Sequence, residues 1–76
     1  MNNVTLKPLP CREIKRKLEA SGFQERQGRG SHRKFVKFTR SGVLTALVPF
    51  HSEVATGTLR SILRQAALSP EKFEVL

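Results

Sequence analysis

The run from Ser31 to Val48 constrains this chain more than any other part of it. Two strand-like segments, Ser31–Thr39 and Val43–Val48, flank Arg40-Ser41-Gly42, a turn of hairpin length, and Pro49 is expected to end the ladder. If Ser41-Gly42 is a two-residue loop, Arg40 pairs with Val43 and His32 falls opposite His51. If all of Arg40-Ser41-Gly42 is loop, with the glycine left-handed, Thr39 pairs with Val43 and His32 falls opposite Phe50. The second register gathers Val36, Phe38, Leu44, Ala46 and Val48 on one face. It leaves Arg33, Lys37, Thr39 and Thr45 on the other, with Phe35 and Leu47 as exceptions. The first register mixes both faces. One-sided burial specifies register, so the pattern favours the three-residue loop and counts against a His32–His51 pair.

The flanking segments supply the other layer. Pro10 suits a first helical position, where its missing N–H is not needed. Cys11–Ala20 then reads as a helix with Cys11, Ile14 and Leu18 in one narrow apolar stripe. Glu13–Lys17 and Lys15–Glu19 stand as opposite charges four apart. Gly22 is a helix stop that allows Phe23 to fold back onto the stripe. Phe23–Gln27 is a weak strand, followed by the glycine-rich turn Gly28-Arg29-Gly30. Gly57–Leu68 is a second helix, capped by Thr56 or a neighbour, with Leu59, Ile62, Leu63 and Ala66 on one face. Ser69-Pro70-Glu71 starts a short last turn that carries Phe73 to the core. The expected class is α+β in the order α-β-β-β-α, a three-stranded antiparallel sheet with helices on one face. Seventy-six residues make one domain, 1–76, with 1–9 as a lead-in segment.

A chain this short has a marginal core. With no Trp and no Tyr, five Phe and the aliphatic residues must fill it, which argues against a deep cofactor pocket. The single cysteine, Cys11, excludes an internal disulfide and fits a reducing compartment; at an apolar helix position it reads as a small core residue rather than a nucleophile. No stretch approaches the ~18 apolar residues of a membrane span, and Met1-Asn2-Asn3-Val4 does not open a secretory signal. A cytoplasmic protein is expected.

The net charge of +8 is unevenly placed: residues 1–40 hold eleven Lys/Arg against three Glu, and residues 41–76 hold three against three. A one-sided positive field attracts polyanions, nucleic acid first among them, although a solubilising charge or an anionic protein partner would look similar. RNA carries its own nucleophile, the 2′-hydroxyl, and histidine suits proton transfer near neutral pH. Arg29, Arg33, Lys34 and Lys37 are close in sequence to His32 and are candidates for phosphate binding, with Ser31 placing His32 or the phosphate. Backbone N–H groups around Gly28–Ser31 suit an anion as well. Arg12, Lys15, Arg16 and Lys17 fit either RNA phosphates or a solvated helix face. Taken alone, His32 reads more readily as a surface or packing histidine, and His51 as a structural one.

Five segments in order resemble one family: Leu18-Glu19-Ala20-Ser21-Gly22-Phe23, Gly30-Ser31-His32, Val48-Pro49-Phe50-His51, Gly57 to Ala66, and Leu68-Ser69-Pro70-Glu71-Lys72-Phe73. Together they resemble the HicA toxins of toxin–antitoxin pairs, from about Leu6 to the C-terminus. The resemblance implies a fold like that of double-stranded-RNA-binding domains. It implies a metal-independent, cofactor-free endoribonuclease acting on mRNA, with His32 catalytic. It also implies direct inhibition by a HicB-type antitoxin, the toxin being monomeric alone and hetero-oligomeric with its antitoxin. The chain departs from the family at Ala67, where glycine is frequent, and at Arg33, where histidine or an aromatic is frequent. The second proton-transfer group is left open among water, His51 and a lysine. Two other readings stay open: a non-catalytic RNA-binding module, and a protein-interaction subunit. Against the first, Thr56-Gly57-Thr58-Leu59-Arg60 carries one basic residue where double-stranded-RNA-binding domains carry a lysine-rich grip.

Overall fold

A computed structural model describes residues 4–76; the first residues of the expected lead-in, Met1-Asn2-Asn3, lie outside the described part. Helix α1 spans Cys11–Ala20, strands β1, β2 and β3 span Gln24–Arg26, His32–Thr39 and Gly42–Pro49, and helices α2 and α3 span Thr56–Ala66 and Pro70–Glu74. The strands form one antiparallel sheet in the order β1-β2-β3. The expected α-β-β-β-α order, sheet and layering are all present, in the manner of a double-stranded-RNA-binding domain.

Ile14 and Leu18 of α1, and Leu59, Ile62, Leu63 and Ala66 of α2, are buried, so both apolar stripes meet the sheet. Phe23 is buried because α1 ends as a Schellman turn: the Phe23 N–H donates to Leu18 O, the Gly22 N–H donates to Glu19 O, and Gly22 takes φ +103°. Ser69 caps α3 by accepting from the Lys72 N–H, Pro70 follows at the first position, and Phe73 is buried. Cys11 is half-buried and packs against the core.

Several expectations need correction. The hairpin adopts neither register considered. Thr39 pairs with Gly42 and His32 with Pro49, so the loop is Arg40-Ser41. Gly42 is the first residue of β3 and takes φ +141°, a conformation that side chains rarely tolerate. Because side chains alternate along a strand, the one-residue shift turns β2 over while leaving β3 as expected. Leu44, Ala46 and Val48 face the helices, but so does Phe35, which is fully buried; Val36 lies outside that core cluster and Phe38 is exposed. Pro49 ends the ladder as expected, itself paired with His32, and just beyond it the Phe50 N–H donates to Ser31 O at 2.6 Å. Pro10 precedes α1 as its N-cap rather than opening it. The α2 N-cap is Thr56's neighbour Ala55, which makes no side-chain bond there, and α2 spans Thr56–Ala66 rather than Gly57–Leu68. Within the described part of the lead-in, Leu6 is buried, and Leu9 and Val54 exchange backbone hydrogen bonds.

The cations of α1 pair differently from the expected i,i+4 pattern. Arg16 binds Glu13, Lys15 binds Glu25 of β1, and the Lys17 ammonium donates to the carbonyls of Phe73, Glu74 and Leu76. Glu13 is one turn away on α1 itself, whereas Glu25 and the carbonyls of Phe73, Glu74 and Leu76 are distant in sequence and meet α1 only on folding.

Candidate functional site

The turn before β2 holds His32. The His32 N–H donates to Arg29 O at 3.1 Å, closing Arg29-Gly30-Ser31-His32 into a tight turn with Gly30 at φ +59°. Upstream, Gly28 lies directly against the β2 backbone. A Cβ there would overlap the His32 carbonyl oxygen and come within 2.9 Å of its carbonyl carbon. The glycine-rich turn thus serves two needs, a left-handed residue and a close backbone approach. His32 itself is exposed.

Alternation divides the candidate residues between two faces. His32 and Lys34 stand on the open face of the sheet with Leu47 and Thr45 of β3, and with Gln27, Gly28 and Arg29 they line a shallow hollow of about 600 Å³. Arg26 pairs with Lys34 across β1 and β2 and shares this face; sequence reasoning passed it over because the register of so short a strand was not legible. Arg33 and Lys37 are turned to the helix side. Arg33 donates to Glu25 at 2.6 Å and lies over the Phe50 ring at 4.5 Å, while Lys37 lies over the ring of buried Phe23 at 5.9 Å. Ser31 is exposed, and its carbonyl is used by Phe50.

His51 does not join His32. It lines a separate hollow with Pro10, Cys11 and Arg12, and its carbonyl accepts the N–H of Cys11 at the start of α1. On the helix side, Glu25 receives Lys15 at 2.8 Å and Arg33 at 2.6 Å. These two hydrogen bonds, that of Lys15 foremost, hold its carboxyl below the ordinary range. Among the described residues, no helix is long and apolar enough to cross a membrane.

The structure is that of a small basic α+β domain with an exposed cationic corner, its fold like that of double-stranded-RNA-binding domains. Residues 11–68 match the family model described as the HicA toxin of bacterial toxin–antitoxin systems. The match spans most of the chain, and the protein belongs to that family. No curated protein matches it.

Proposed function

We propose that this toxin is a metal-independent endoribonuclease acting on mRNA, in which His32 carries the proton transfer and a HicB-type antitoxin blocks the site. One observation carries the reading: an exposed histidine sits on a rigid turn, in one hollow with Lys34 and Arg29. In the reaction, His32 accepts the proton of the RNA 2′-hydroxyl as that oxygen attacks the adjacent phosphorus. The bond from phosphorus to the leaving ribose oxygen breaks, and that oxygen takes up a proton from water, His51 lying in a separate hollow. General base help of this kind contributes about 10²–10⁴-fold. Charge building on the phosphorus oxygens is met by Lys34 and Arg29. The N–H groups of Arg29, Gly30 and Ser31 make no backbone hydrogen bond among the described residues and add donors beside it. Arg33 and Lys37, on the other face, serve the structure around Glu25 and Phe23 and do not share this hollow.

The open face also suits the inhibitor. Phe38, Val43 and Leu47 are exposed on the side of the sheet that bears His32. A partner seated on that apolar row covers the histidine at the same time. The test is cleavage of RNA by the purified chain beside His32→Ala. The expected result is cleavage by the parent and none by the folded variant. A folded His32→Ala protein that still cleaves overturns the assignment, and a parent that binds RNA without cutting it favours a non-catalytic RNA-binding module.

A further inference from the structure

A second concavity lies round the strand end from His32. It occupies about 380 Å³ between α1 and the helix-side face of the sheet, within the roughly 300–1,000 Å³ of small-molecule sites. Its floor is apolar, made by Phe35 and Val48. Four cations line it, Arg12, Lys15, Arg16 and Arg33, against two acids, Glu19 and Glu25. The wall that matters most is Phe50, which is 57 % exposed although the chain has few aromatics to spare for its core. The Arg33 guanidinium covers one side of that ring, held there by Glu25, which also binds Lys15. A flat apolar ring with a fixed cation against it, an excess of positive charge and Arg12 without a side-chain partner among the described residues together suit a planar group attached to an anion.

We propose that this groove binds one unpaired nucleotide of the RNA next to the one being cut, its base stacked on Phe50 and its phosphate met by Arg12. The inference rests on the ribonuclease reading of His32. The strand ends bring the two together: His32 pairs with Pro49, and one residue further on the Phe50 N–H donates to Ser31 O. Successive positions face opposite sides of the sheet. RNA that reaches both His32 and Phe50 must therefore turn around the end of the strands. A single strand with an unstacked base can do this, and a stiff duplex cannot. The groove thereby makes unpaired RNA the preferred substrate.

The chain has no Trp, so Phe50→Trp in a His32→Ala background gives a single fluorescent reporter inside the groove. Saturable quenching by a single-stranded oligoribonucleotide, and little by a duplex of the same sequence, is the expected result. Replacing Phe50 by Ala in the same background lowers single-strand affinity by about 5- to 150-fold, with an unchanged thermal midpoint because the ring is exposed. Equal single-strand affinity for Phe50→Ala and its parent overturns the proposal. So does equal binding of duplex and single strand, or a tryptophan signal that answers to the antitoxin and not to RNA. If the otherwise native chain cleaves RNA while Phe50→Ala has no effect on binding or cleavage, the groove proposal alone has failed. If the native chain neither binds nor cleaves RNA, both readings fall.

Discussion

Gly28 and His32 are in such close backbone contact that a methyl group on Gly28 would occupy the space of the His32 carbonyl oxygen. The same stretch of β2 backbone begins the pairing with β3, so any accommodation of a larger residue moves the histidine. Gly28→Ala is expected to cost about 1–3 kcal/mol of stability through the forced shift. It is also expected to lower RNA cleavage by about 10²-fold, the effect of misplacing a reacting group by an ångström. Denaturant unfolding and cleavage rates measured on one preparation check both. A Gly28→Ala variant with native stability and full activity contradicts the close approach.

Ala67 offers a gain rather than a loss. It takes φ +56° at the end of α2, where its N–H donates to Arg64 O and the Leu68 N–H donates to Leu63 O. This is the bond pattern of a Schellman turn, whose left-handed position glycine fills without steric cost. Ala67→Gly is expected to stabilise the protein by about 1 kcal/mol. A rise in the midpoint of chemical unfolding checks it, with no change in the slope of the transition.

Glu25 links α1 to the sheet through Lys15 and Arg33. Its carboxyl is held below the ordinary 4.5 in the folded protein, by the hydrogen bond of Lys15 first and that of Arg33 second. The stability from this shift is therefore fully present above pH 4.5 and is lost as pH falls through the lower folded value. Glu25→Gln removes it. The variant is expected to be less stable than the parent at neutral pH and to approach it in acid. Both cations are about half exposed, so salt is expected to reduce the difference. Unfolding measured from about pH 7 downward, at low and high ionic strength, reads each effect.

The sequence leaves Lys17 two readings, an RNA contact and a solvated charge, and the structure gives it a third role. Its ammonium donates to Phe73 O at 3.1 Å, Glu74 O at 3.1 Å and Leu76 O at 3.3 Å, and lies over the Phe73 ring. Lys17→Met keeps the stem and removes the donors. It is expected to cost about 1–2 kcal/mol and to loosen the contact between α1 and α3, while RNA affinity changes little. Hydrogen exchange of the α3 amides beside an RNA titration separates the two roles, and a large loss of RNA affinity with unchanged α3 protection would restore the phosphate reading.

The helices were legible because their signals are local. The stripe Ile14–Leu18, the stop at Gly22 and the start Ser69-Pro70-Glu71 each act within a turn or two, and the structure places them as read. The strand order followed from the same local patterns. His32 was legible as a histidine after a glycine turn, but its surroundings were not. Arg29, Arg33, Lys34 and Lys37 are neighbours in sequence, and strand alternation sends Arg33 and Lys37 to the opposite face from Lys34.

By itself, then, the sequence determined the elements, their order, the unequal charge and the histidine on which the family likeness centres. The tertiary structure alone decided the register of β2 against β3, and with it which cations share a face with His32. The physical reason lies at Gly42. With φ +141° it pairs with Thr39 as the first residue of β3, which leaves only Arg40-Ser41 in the loop, and a shift of one residue reverses a whole strand. The alternation of residues in β2 was ambiguous, since Phe35 and Val36 are adjacent and both apolar. Only packing against Ile14, Leu18 and the α2 stripe selected Phe35 for the core.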